Sequence, residues 1–138
     1  FLAVEAEAHR IREEEGTKVI FLDFHAETTS EKIAMGRSVD GLVSAVVGTH
    51  THVQTADEQI FPSGTAFLCD AGMCGPLESV LGREVEPIIE RFKSSTPRRF
   101  PVAKGSVGIR GVVVDVDEAT GKALEIHRFS EDFRGGEA

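Results

Sequence analysis

The side chains best suited to chemistry in this chain are His50 and His52, one residue apart, and a third imidazole at His25. Each follows an apolar run. Val19-Ile20-Phe21-Leu22 leads into Asp23-Phe24-His25, and Leu42-Val43-Ser44-Ala45-Val46-Val47 leads into Gly48-Thr49-His50-Thr51-His52. Short apolar runs that stop at a small or polar residue read as buried strands of a parallel sheet. Open α/β sheets bind ligands just beyond the carboxyl ends of their strands. Two neighbouring strands ending in histidine would therefore aim three imidazoles into one crevice, the makings of a metal site. On an extended backbone His50 and His52 would point to the same side. They would then serve as two ligands of one ion or as one ligand for each of two ions. Neutral imidazole suits zinc, iron, nickel or manganese, with geometry deciding among them.

Carboxylates stand close by in sequence. Asp23 and Glu27 alternate with His25 and would share its face if the strand persisted, where they could orient the ligating ring. Asp70 follows another short strand and could reach the same crevice. For all three the competing reading is ordinary structural hydrogen bonding. His9 on a charged helix and His127 in a late strand read as structural. Thr49 and Thr51 read as loop residues that bond backbone, and Arg98-Arg99 beside Pro97 as an exposed, solvated pair. The loop from Gly72 to Gly75 lacks the lysine and hydroxyl of a P-loop, and no nucleophile elbow is present.

The elements that must position these residues follow from periodicity. Phe1, Val4, Ala8 and Ile11 share one helical face, with Gly16 as a C-terminal cap. Thr28-Thr29-Ser30-Glu31 carries capping-box chemistry for a second helix running to Gly36 or Ser38. Helix and strand alternate, as in βαβ units. From Asp57 short strands replace that alternation, with Pro62-Ser63-Gly64 as a turn between two of them. Asp70 to Pro76 reads as an irregular glycine-rich loop. Glu84 to Lys93 reads as a helix with Pro87 in its first turn. Val107 to Val116 and Leu124 to Phe129 form an antiparallel pair, with Gly121 available for positive φ in the turn. Residues 131–138 are expected to fray. The fold class is α/β, mixed with α+β character, over residues 1–130.

Composition narrows the function classes. At 138 residues, 41% hydrophobic and 28% charged, the chain is an ordinary globular one with room for one core. A net charge of −8 argues against broad nucleic-acid binding. No apolar run approaches the roughly 18–20 residues of a membrane span, and a cytoplasmic location is expected. Cys69 and Cys74 are too few for a disulfide framework and read as reduced thiols. The chain opens at Phe1 directly in a helical pattern, which suggests the later part of a longer protein.

The order of motifs resembles the YmdB-like subgroup of calcineurin-like metallophosphoesterases. The segments that carry it are Asp23 to Lys32, Val46 to Asp57, Asp70 to Pro76 and Gly111 to Asp117, and the resemblance covers nearly all of the chain. Cys74 stands where threonine is more usual. The resemblance implies the C-terminal part of a four-layer αββα sandwich with a two-metal centre, iron or manganese more often than zinc. It implies hydrolysis of a small phosphoester, including cyclic nucleotides, by activated water. Carried over by motif, His25 and His50 would bind one metal and His52 its neighbour. The family's early aspartate, Glu-Asn pair and Asn-His pair, the last holding the expected catalytic histidine, have no counterpart here, and the sequence contains no asparagine. Weak metal binding and negligible turnover are therefore expected of these residues alone. An open sheet edge would also favour association between copies. Two other readings remain: an amidohydrolase-like metal hydrolase, and a non-catalytic metal-binding or regulatory domain.

Overall fold

The computed structural model describes residues 1–133. Its elements run α1 (Leu2–Arg10), β1 (Phe21–His25), α2 (Thr29–Ser38), β2 (Ala45–Thr49), β3 (Gln59–Ile60), β4 (Ala66–Leu68), β5 (Gly75–Pro76), α3 (Val85–Ser94), β6 (Val107–Asp117) and β7 (Lys122–Phe133). A π-helical turn, Ile11–Glu15, extends α1 to Gly16, whose φ of 67° ends it in the left-handed conformation expected of a glycine cap. Thr28 caps α2 by accepting from the Glu31 amide, the bond anticipated from the Thr28-to-Glu31 spacing. Within the described residues no helix is long and apolar enough to cross a membrane.

The strands form a four-stranded sheet, ordered β1-β2-β4-β3, and a three-stranded one, β5-β6-β7. β2 pairs in parallel with both β1 and β4, while β3 runs antiparallel to β4. The fold is thus mixed α/β, as expected. The segment Thr65 to Cys69 does more than close a hairpin, because Ala66–Leu68 extends the parallel sheet beside β2. Gly75 and Pro76, expected in an irregular loop, instead pair with Gly108 and Val107. β7 continues to Phe133, so residues 131–133 are strand rather than frayed chain. The rest of that expected tail lies outside the described residues.

By internal contacts the chain divides into two compact units. The first comprises Phe1–Gly72 with Gly111–Phe129, and the second comprises Met73–Arg110 with the described chain from Ser130. In the first unit alternate residues of the sheet face two cores. On one side Val46 and Phe67 join Ala8 of α1 and Met35 of α2, with Leu22 and Phe24 packed against them. On the other, Ala45 and Ala66 meet Ala123, Val114 and Ile126 of the second sheet. Strand alternation thus sends Leu22 and Phe24 toward the helices and leaves Asp23 and His25 on the opposite face. In the second unit, α3 presents Ile89 and Phe92 outward and buries no residue.

Candidate metal centre

His25 is the last residue of β1, and its register partner across the parallel pair is Thr49, the last residue of β2. The two side chains therefore stand side by side on one face. The His25 ring nitrogen Nδ1 lies 3.0 Å from the Thr49 hydroxyl, which in turn donates to Asp23 Oδ1 at 3.4 Å. If the hydroxyl proton lies toward the carboxylate, Thr49 accepts from the imidazole, which puts the His25 proton on Nδ1 and makes Nε2 the acceptor nitrogen. That nitrogen faces His50, with Nε2 of His25 3.1 Å from Nδ1 of His50. The rings meet edge to face, their centroids 5.0 Å apart.

At this separation the rings can hydrogen-bond each other, and the same distance is one that two ligands of a single cation would show. For a metal–nitrogen bond of about 2.1 Å, ligands at a right angle stand about 3.0 Å apart and those at a tetrahedral angle about 3.4 Å. The observed separation falls between these limits. His52 does not join the pair. Among the described residues, no group of three His, Cys, Asp or Glu side chains stands close enough to hold an ion. The extended backbone expected through His50-Thr51-His52 is also not what forms. β2 ends at Thr49, and the φ angles are 145° at His50 and 66° at His52, so the two rings do not follow strand alternation.

The carboxylates divide in role. Asp23 reaches the ring of His25 through Thr49, and it also lines, with Phe21, Val47, Ala71 and Val112, a cavity of about 240 Å³. Glu27 lies beyond the end of β1, exposed in the turn before α2. Asp70 is buried beneath the histidine loop and bonds the Thr51 amide at 2.8 Å, the Gly72 amide at 3.0 Å and Lys32 Nζ at 3.2 Å. Burial alone would raise its carboxyl pKa. The Thr51 and Gly72 amides, with Lys32, instead hold it below the usual carboxylate value.

Lys32 is the site-proximal residue that sequence reasoning misses. It is completely buried, and it crosses the sheet at Gly48, where an added Cβ would come within 2.7 Å of Lys32 Cδ. Thr49 also differs from its expected role as a backbone-bonding residue, because its hydroxyl touches the ring of His25. A signal for Lys32 is present in a lysine on the α2 segment and a glycine at the strand end. Their relation, however, depends on a register that no local pattern reveals. Cys69 is a free buried thiol whose pKa is raised, first of all by burial, and Cys74 is free and exposed. Arg98, exposed, pairs with Glu90 at 3.2 Å, as a solvated surface pair would.

The model of the family described as YmdB-like protein matches residues 1–129. The chain belongs to this family. It is 57% identical over 112 residues to the 2',3'-cyclic-nucleotide 2'-phosphodiesterase of Bacillus subtilis (strain 168), a match covering 81% of this chain and 42% of that protein. A crystal structure of a phosphatase from Mycoplasma pneumoniae superposes with a TM-score of 0.83 at 36% identity, covering 94% of this chain and 47% of the other. A hypothetical protein from Thermus thermophilus matches with a TM-score of 0.83 at 35% identity, over 94% of this chain and 50% of that one. The chain thus spans about half or less of each relative. The resemblance drawn from the motifs and the fold it implied are both borne out.

Proposed function

We propose that the chain contributes to a metal-dependent phosphodiesterase, with His25 and His50 holding one metal ion and His52 placed toward a second. The observation that carries this reading is the 3.1 Å approach of His25 Nε2 to His50 Nδ1, with Thr49 bridging His25 Nδ1 and Asp23. Kinship with a protein named for 2',3'-cyclic-nucleotide hydrolysis supports a cyclic nucleotide as the substrate class. Manganese or iron is the metal proposed, with zinc as the alternative.

The chemistry such ions supply when bound is activation of water and neutralisation of charge on the phosphoryl oxygens. The chain's own residues contribute orientation. Asp23 accepts from Thr49, and Thr49 in turn meets His25 Nδ1, an arrangement that orients the ring with Nε2 toward the proposed metal. Two imidazoles do not fill a coordination sphere, so the proposed centre takes further donors from outside this pair. Weak metal binding and little turnover are accordingly expected of the 138 residues alone. Asp70 has a supporting place in this reading, beneath the loop, and is not a ligand.

Metal analysis after loading with Mn²⁺, with the chain beside its His50→Ala variant, tests the assignment. Measured at Mn²⁺ concentrations that saturate a weak site, the parent is expected to hold one equivalent and the variant to lose it while keeping the helical signal of the parent. Equal metal content in the two proteins would count against it.

A further inference from the structure

The loop that carries His50 and His52 holds an unfavourable backbone. Two residues with side chains, at φ 145° and 66°, sit within three positions. Such conformations persist only where the surroundings over-determine them. The surroundings here converge on Asp70. Its Oδ2 accepts from the Thr51 amide at 2.8 Å, and its own backbone bonds Thr55 twice, through Asp70 N to Thr55 Oγ1 at 2.9 Å and through Thr55 N to Asp70 O at 3.1 Å. The segment from Thr51 to Thr55 is therefore clasped at both ends by one residue, and both histidines lie within or beside that clasp.

Asp70 is itself held by Lys32, with both side chains no more than 1% exposed. Lys32 comes from α2 on the far side of β2, and it passes where Gly48 has no side chain. An added Cβ there would collide with the Cys69 carbonyl oxygen as well as with Lys32. A buried ion pair is a poor source of net stability compared with a well-packed apolar pair. Its value lies in geometry, because Oδ2 must satisfy both Lys32 Nζ and the Thr51 N–H from one position.

We propose that Lys32 and Asp70 form a positioning pair that sets the histidine loop, and with it the distance between His50 and His25. The pair touches neither substrate nor metal; it acts through Thr51. The inference rests on the reading of His25 and His50 as ligands for its functional meaning, though its structural content can be measured without any metal.

Two measurements test it. In the parent chain, hydrogen exchange of backbone amides should find the Thr51 N–H exchanging far more slowly than that of the adjacent His52, although both residues are exposed. The double variant Lys32→Met with Asp70→Asn keeps side chains of similar size and removes both charges. At a thermal midpoint close to the parent's, it should show faster Thr51 exchange and altered imidazole resonances of His25 and His50. It should also bind Co²⁺ more weakly, by up to about the 10- to 100-fold that loss of a group bonded directly to a ligand costs. Unchanged Thr51 exchange and unchanged Co²⁺ affinity in a folded double variant would overturn the proposal. Should that variant fail to fold, Thr51 exchanging as fast as His52 in the parent would overturn it alone. Absence of Co²⁺ binding by the parent would sink the ligand assignment and leave the amide and imidazole readouts to decide the positioning claim.

Discussion

A single hydroxyl carries much of the account at the residue scale. Thr49 converts the carboxylate of Asp23 into a constraint on the ring of His25, since it can donate to one and accept from the other. Replacing it with valine keeps the β-branched shape and deletes the relay. We predict that Thr49→Val binds Mn²⁺ about 10- to 100-fold more weakly while Thr49→Ser stays near the parent. Isothermal titration of the three proteins checks this, and equal affinities would remove Thr49 from the site. His25 and His50 are legible in the sequence as residue types that could hold a metal. The Thr49 relay is not, because it depends on the pairing of His25 with Thr49 across two strands rather than on any neighbour in sequence.

At the scale of elements, the parallel pairing of β1 with β2 brings the histidines together, and α2 packs on the opposite face of that sheet. The capping box at Thr28 and the glycine cap at Gly16 are legible because they are written in local chemistry. The loop after β2 departs from expectation: alternation applies only while the strand lasts, and β2 stops at Thr49. The short β5 is equally invisible, since its pairing with β6 comes from a partner far along the chain. Gly48 shows how tightly these elements meet. A methyl group there collides with both the Cys69 carbonyl and Lys32. We predict that Gly48→Ala destabilises the chain by about 1–3 kcal/mol, the cost typical of overpacking, and at the upper end because one obstacle is backbone. Urea unfolding measures this; a midpoint equal to the parent's would contradict the contact.

For the molecule as a whole, buried Asp70 links stability to pH, because the Thr51 and Gly72 amides and then Lys32 favour its charged form against the effect of burial. The folded-state pKa of Asp70 is lowered, so its contribution to stability is fully present above the unfolded carboxyl value of about 4. It is lost as pH falls from there through the folded value. We therefore expect the stability gap between the parent and Asp70→Asn to be widest near neutrality and to close below about pH 4. Thermal unfolding of both proteins across that range reads it, and a constant gap would mean that Asp70 is not held as described. The parallel order of β1, β2 and β4 supports both the histidine pair and this buried ion pair, so both depend on one sheet. Family membership and the fold are legible from the motifs, which lie mostly at strand ends and turns where residue type is most constrained. The division into two compact units is not, because it follows from the sum of distant contacts.

The central claim is that His25 and His50 share one cation, and crystals of the chain soaked with Mn²⁺ test it most directly. An anomalous-scattering peak at a bonding distance of about 2.1–2.3 Å from both His25 Nε2 and His50 Nδ1 is the predicted result. A soaked crystal with the two rings still hydrogen-bonded to each other, and manganese elsewhere or absent, would contradict it.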